Sequence, residues 1–439
     1  MDRRKLTFRL ILLTILPASM LELMNNIYNL YVPIYLQAGG PTFNKAVVTF
    51  GFGVGAFYVG FWLVVDNILS FIFSPFVGAR SDRTRSRLGR RLPFILGSLP
   101  LLIIGYALIP MGPARIPAEL NGQQSRLTGL FIFFLGSCAV YFMGFVPVRS
   151  ILQTLRQEAV ALPDRPKVES WYISIVNAFT IGALLYGRKL YELSGPLIFW
   201  TVLGMYVLSA TATLVFYKEP QELAQAAAVR KASNLKQILS IFKEAPPGTS
   251  RNILFYLASV MFYGLALSAF LNFSPSWVVN TLGVDESRMA GTMAVFFWVA
   301  ATVTPLPMGY LAGKALKRRH LYVLGILTTL GASLVLFLAP RLYPVGLAGL
   351  GAGLAITLNF QLPLASEVVY DKKALGTMVG LYNFVYMFGV LLGANSAGLL
   401  IQKTSYRALY PVVAVFSFAA AVLASFIRTG SGGDDAAGR

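Results

Sequence analysis

The chain is predicted to be an all-α polytopic membrane protein whose twelve transmembrane helices form two pseudo-symmetric six-helix bundles, and three observations predict it. Its 439 residues are 56% hydrophobic and 13% charged, with a mean hydropathy of +0.65. A soluble domain is about a quarter charged, so this chain lacks the polar surface to cover itself in water. The apolar residues gather into twelve long runs, and the longest polar interruption divides those runs six and six.

Each run is long enough to be a span. About 20 apolar residues cover roughly 30 Å of hydrocarbon, and a helix satisfies its own backbone there. The expected spans are 9–36, 51–78, 92–112, 128–148, 170–187, 196–217, 252–279, 289–313, 320–339, 342–364, 375–401 and 406–428. The first run is long and has no small-residue cleavage site beside it, so it reads as a retained anchor. Residues 1–217 form the expected N-terminal bundle and 252–428 the C-terminal one. Between them, 218–251, with "KEPQELAQAAAVRKASNLKQ", is a cytoplasmic linker, and 429–439 is a Gly-rich disordered tail.

The net charge of +19 suggests a polyanion partner in a soluble protein. Here its distribution decides. With the amino terminus inside, segments on the cytoplasmic side hold roughly three quarters of the basic residues, as the positive-inside rule requires. The stretch "GARSDRTRSRLGRRLPFIL" from Gly78 is then a cytoplasmic loop, not a nucleic-acid patch. Both termini are expected in the cytoplasm, in a plasma or bacterial inner membrane. A single cysteine, Cys138, permits no intrachain disulfide, and a lone His320 argues against a histidine metal site.

The halves echo each other. "SPFVGARSDRTRSRLGRRLPFILG" after the second span has a counterpart in "TPLPMGYLAGKALKRRHLYVLG" after the eighth, and "FVPVRSILQTL" in "QLPLASEVVYD". Repetition of six-span units marks carriers that alternate access around a mid-membrane site.

Gly78, Asp82, Arg83, Gly89, Arg90 and Arg91 resemble the loop between spans two and three of the major facilitator superfamily. The longer string "SDRTRSRLGRRLPFIL" is similar to that of the proton-coupled sucrose and sugar symporters of plants and animals, and of the related glycoside–pentoside–hexuronide cation symporters. Pro147 followed by Arg149 is similar to a Pro-x-Arg feature of the sucrose carriers. The resemblance implies the major facilitator fold and a cytoplasmic gate in which Asp82 accepts charge-assisted hydrogen bonds. The competing reading is that the arginines enforce topology and touch lipid phosphates.

Acids within spans are costly and usually line a cavity or pathway. Glu22, Asn25, Asn26 and Asn29 follow i, i+3, i+4 and i+7 on the first span and share one face, which should look into the bundle. Asp66 and Asn67 lie in the second span. Glu22 and Asp66 both fall roughly 18 Å from the inner ends of their spans, near mid-membrane. They are candidate proton carriers; the alternative is a pair of acids that only tie helices together. Asn177, Asn272, Asn359, Gln361 and Asn383 could complete a cavity for sugar hydroxyls, and Trp298 could stack on a sugar ring or serve as an anchor. Arg149 and Glu367, near inner span ends, are candidate gate pairs.

The chain departs from the melibiose-type symporters, which have acids where Ser70 and Ser74 stand, so their sodium site is not expected. The span-four aspartate of plant sucrose carriers is replaced by Cys138, which leaves Asp66 and Glu22 as the coupling candidates. Gly51, Gly53 and Gly55 follow no strand and read as helix packing. The sequence has no Walker-type loop, so an ATP-driven pump is not expected, and no cofactor is expected either. The expected function is secondary-active transport of a sugar or glycoside, by a monomer, coupled to a proton or other cation. An exporter of drugs or metabolites shares the fold; an intramembrane enzyme or channel is the remote alternative.

Overall fold

The computed structural model describes residues 8–40, 43, 50–84, 86–159, 165–218, 249–305, 307–308, 317–368 and 375–428. Most of the expected linker and the whole 429–439 tail lie outside the described residues, as do 309–316 at the second basic loop of the repeat. All regular structure among the described residues is helical.

In order the helices are α1 (Phe8–Gln37), α2 (Ala56–Leu63), α3 (Val65–Arg83), α4 (Leu92–Leu108), α5 (Thr128–Glu158), α6 (Arg165–Leu193) and α7 (Leu197–Phe216). There follow α8 (Thr249–Leu282), α9 (Glu286–Thr292), a π-helical turn (Met293–Trp298), α10 (Val299–Val303), α11 (Arg318–Leu338), α12 (Tyr343–Val368), α13 (Leu375–Lys403) and α14 (Leu409–Ser425). Nine helices among the described residues are long and apolar enough to cross a membrane. Three shorter apolar ones, Ala56–Ser70, Trp171–Gly187 and Arg288–Val303, coincide with the remaining expected spans. The protein is an integral membrane protein.

Where the helices outrun the hydropathy reading, the reason is polar sequence. The expected fourth span stops at 148, yet α5 continues to Glu158 through Arg149, Gln153 and Arg156. Helical hydrogen bonding continues beyond the apolar run, which is all that hydropathy sees. The second span is one apolar run but two helices, because the chain breaks at Val64, where φ is −105° and ψ is 0°.

The chain divides into two compact units, Met1–Arg230 with Val278–Ala294, and Lys231–Trp277 with Val295–Arg439. In the first, α1 packs against α5, α6 and α7, and α4 lies along α5. Gly105 permits that approach: a Cβ there would collide with the Tyr141 backbone. Pro17 of α1 has no N–H to offer the Leu13 carbonyl. Thr213 of α7 donates its hydroxyl to that carbonyl instead, at 2.7 Å.

In the second unit, α11 packs along α12 and against α14. Gly353 of α12 plays the part of Gly105, since a Cβ there would collide with Thr329 of α11. The repetition is visible in the prolines too: Pro33 and Pro147 of α1 and α5 stand at nearly the same helical positions as Pro275 and Pro363 of α8 and α12. α1 and α8, the first helix of each repeat, are also the most enclosed of the long helices, 71% and 72% buried, against 39–56% for the others.

Candidate functional site

The polar face expected on α1 is turned inward. Asn25 is buried, and Glu22, Asn26 and Asn29 are half-buried. Partners come from two other helices. Arg149 of α5 places Nη2 3.2 Å from the Glu22 Oε1, while Asn26 donates through Nδ2 to the Thr180 hydroxyl of α6 at 3.0 Å. Asn177 sits one turn before Thr180 on α6 and is buried with it. Polar groups in an apolar bundle persist when they are paired in this way.

Asp66, in the first turn of α3, is 4% exposed. Arg149 and Glu22 both lie within its electrostatic range. Two carboxylates and one guanidinium thus gather from α1, α3 and α5. Tyr28, one further turn along the Glu22–Asn25 face, is fully buried and accepts the Trp62 indole N–H at 3.0 Å. Its ring stacks on Tyr141 of α5, and the Cys138 thiol lies beside its hydroxyl. Asn67, next to Asp66, is half-buried.

Glu22 and Arg149 also line a cavity of about 250 Å³ with Leu152, Gln153, Arg156 and Tyr172. Arg156, seven residues after Arg149 on α5, lays its guanidinium 3.6 Å over the Tyr172 ring, and Arg149 stands 5.5 Å from the Phe145 ring centroid. Such faces hold cations without removing their hydrogen-bond donors.

The loop motif is partly within the described residues. Gly78, Asp82 and Arg83 lie on α3, but the surroundings of their side chains lie outside those residues. Gly89 turns the chain at φ 101°, in the left-handed region that favours glycine. Arg90 and Arg91 are 4% and 2% exposed, and Arg91 donates through Nη1 to the Ser81 hydroxyl at 3.0 Å. These two arginines are folded into the protein.

In the second unit, Gln361 of α12 is fully buried. Its carbonyl accepts the Tyr256 hydroxyl at 2.8 Å, and its Oε1 lies 3.5 Å from the Tyr382 hydroxyl. Asn272 of α8 donates to Ser268 on its own helix at 3.1 Å. Trp298 ends the π-helical turn, half-buried and edge-on to Phe297. Asn359 is half-buried and Asn383 exposed. Among the described residues, no hydrogen bond joins these last four to the Gln361 cluster. Glu367 pairs with Arg318 of α11 at 3.1 Å. Arg149 and Glu367 therefore each pair inside their own unit.

Sequence reasoning passed over Tyr28, Trp62, Gln153, Arg156 and Tyr172. Two could have been found by periodicity: Tyr28 extends the i, i+3 series of Glu22 and Asn25, and Arg156 repeats Arg149 at i+7. Trp62 and Tyr172 carried no such signal, because their roles depend on which helices meet.

A family model described as the Major Facilitator Superfamily matches residues 15–387 and 288–436. An uncharacterized symporter of Synechocystis sp. is 22% identical, over 82% of this chain and 81% of its own. An isoprimeverose transporter of Lactiplantibacillus pentosus is 22% identical, over 81% of this chain and 74% of its own. Among solved structures, a nucleoside transporter shares the fold with a TM-score of 0.68 at 14% identity, covering 95% of this chain and 99% of that one. With its helical spans, repeated halves and family match, the chain belongs to the Major Facilitator Superfamily and is a membrane transporter of a small molecule.

Proposed function

We propose that the chain is a secondary-active symporter that moves a small polar solute, a sugar or glycoside, by alternating access coupled to a proton gradient. It works as a monomer in a plasma or bacterial inner membrane, with both termini in the cytoplasm. The observation that carries this reading is the gathering of Glu22, Asp66 and Arg149 in one region of the first unit. Two acids and one guanidinium leave an excess of one negative charge, which a single proton cancels. A carrier whose charge balance changes by one ion can link that ion to movement of the solute. Intramembrane acids paired with a cation are the usual components of such a relay.

Two of the relatives support the reading by name, one a symporter and the other an isoprimeverose transporter. Ser70 and Ser74, where the melibiose-type symporters have acids, favour the proton over sodium. Amides and hydroxyls around Gln361 suit sugar hydroxyls, which donate and accept hydrogen bonds alike. The test is uptake of labelled isoprimeverose into proteoliposomes under imposed proton or sodium gradients. Accumulation driven by the proton gradient alone, and lost in Asp66→Asn, is expected. Accumulation driven only by sodium, or untouched by Asp66→Asn, overturns the reading.

A further inference from the structure

Asn25 and Asp66 each bury an oxygen that finds no hydrogen-bond donor among the described residues. The atoms are Asn25 Oδ1 and Asp66 Oδ1, on side chains 5% and 4% exposed. Both are acceptors: an amide oxygen always, a carboxylate oxygen whenever it is ionised. The backbone N–H groups of Asp66 and Asn67 serve the rest of the carboxylate; two buried oxygens left over without a donor are a costly arrangement, and two observations bring them to one place.

The first is proximity along the chain. The bond from Trp62 Nε1 to the Tyr28 hydroxyl brings the second span against α1. Three residues back along α1 is Asn25, and four residues on, just past the break at Val64, is Asp66. Each side chain is thus within about one helical turn of that bond. The second is direction. Glu22 and Tyr28 flank Asn25 at i−3 and i+3 on one face of α1, and both lie within electrostatic range of Asp66. The residue between them faces the same carboxyl.

We infer that Asn25 is the positioning residue for the coupling proton: it accepts, through Oδ1, a hydrogen bond from the protonated carboxyl of Asp66. One proton, taken from water, satisfies both orphaned oxygens and leaves the Glu22–Arg149 pair as the balanced charges beside them. The titratable and charged groups facing Asp66 are Glu22 and Tyr28 from α1, and Tyr141 and Arg149 from α5, with the Cys138 thiol next to Tyr28. Among them only Arg149 is a cation, and it already holds Glu22. The inference takes its meaning for transport from the symport reading, but its test needs no solute, so either can fail without the other.

The experiment is infrared difference spectroscopy of the purified full chain across pH, without solute. A protonated-carboxyl band that grows in as pH falls is expected, absent from Asp66→Asn. In Asn25→Val the band should move toward the frequency of an unbonded acid, with roughly fivefold weaker proton binding, the worth of one net hydrogen bond. An unchanged band in Asn25→Val overturns the assignment, as does loss of the parent's band when sodium replaces choline. Thermal melting gives a second readout that does not require Asn25→Val to fold. The amide that Asp66→Asn introduces can donate to Asn25 Oδ1 in place of the proton, so that variant should melt at or above the parent. Melting well below it contradicts the inference.

Discussion

Replacing Arg149 should damage the protein more than replacing Glu22, although the two form one ion pair. The pair is 3.2 Å long, with side chains 36% and 19% exposed. At that distance, Coulomb attraction is about 5 kcal/mol for an effective dielectric near 20 and about 1.3 kcal/mol in water. The partial exposure places the pair toward the lower figure, so a coupling of about 1–2 kcal/mol is expected once screening is allowed for. In Glu22→Gln, Arg149 still has Asp66 within range, which can ionise and take over as its counter-charge. In Arg149→Gln, Glu22 and Asp66 lose the cation that acts on both of them. The assay is a double-mutant cycle read by reversible denaturation in mixed micelles. Arg149→Gln should be the less stable single variant and should regain stability as pH falls and the acids protonate. The double variant should recover most of that loss. Additive single effects, or a Glu22→Gln variant as unstable as Arg149→Gln at every pH, would refute the reasoning.

Further outcomes are expected elsewhere. Thr213→Val removes the donor that serves the Leu13 carbonyl opposite Pro17, and should destabilise the first unit by about 1–3 kcal/mol, read in the same micelle assay. Gly353→Ala drives a methyl group against Thr329, with the Thr329 nitrogen at 2.8 Å from the new Cβ, and should lower the melting temperature by the equivalent of about 1–3 kcal/mol of overpacking. Cys138 is fully buried and should resist maleimide labelling in the folded parent. In a Cys138→Ala background, Ser86→Cys at an exposed position should label only from the cytoplasmic side of membrane vesicles. Labelling from outside would reverse the proposed orientation.

The fold was legible because a bilayer leaves few choices. The twelve apolar runs correspond to the nine long helices and the three shorter apolar ones. The paired prolines of α1 with α8 and α5 with α12 carry the repeat into the backbone. Helix ends were less legible: α5 runs on past Arg149 because helical hydrogen bonding is indifferent to where the hydrocarbon stops. At the candidate site, helical periodicity placed Glu22 and Asn25 on one inward face. It could not pair Glu22 with Arg149, since they stand 127 residues apart and meet only when α1 packs on α5. Asn383 illustrates the opposite limit. A polar residue in an apolar run reads as a cavity residue, and exposure on α13 is common to an open cavity and an outer face. One side chain without a periodic partner says little about which way its helix turns.

Proton movement driven by the solute itself separates proton symport from every other form of coupling. Proteoliposomes at equal pH inside and out, with the membrane potential shunted, are given the proposed sugar solute while the external pH is followed. The medium should turn alkaline as protons enter with the solute, and Asp66→Asn should abolish the signal while leaving solute exchange intact. Solute entry with no change in external pH contradicts proton symport.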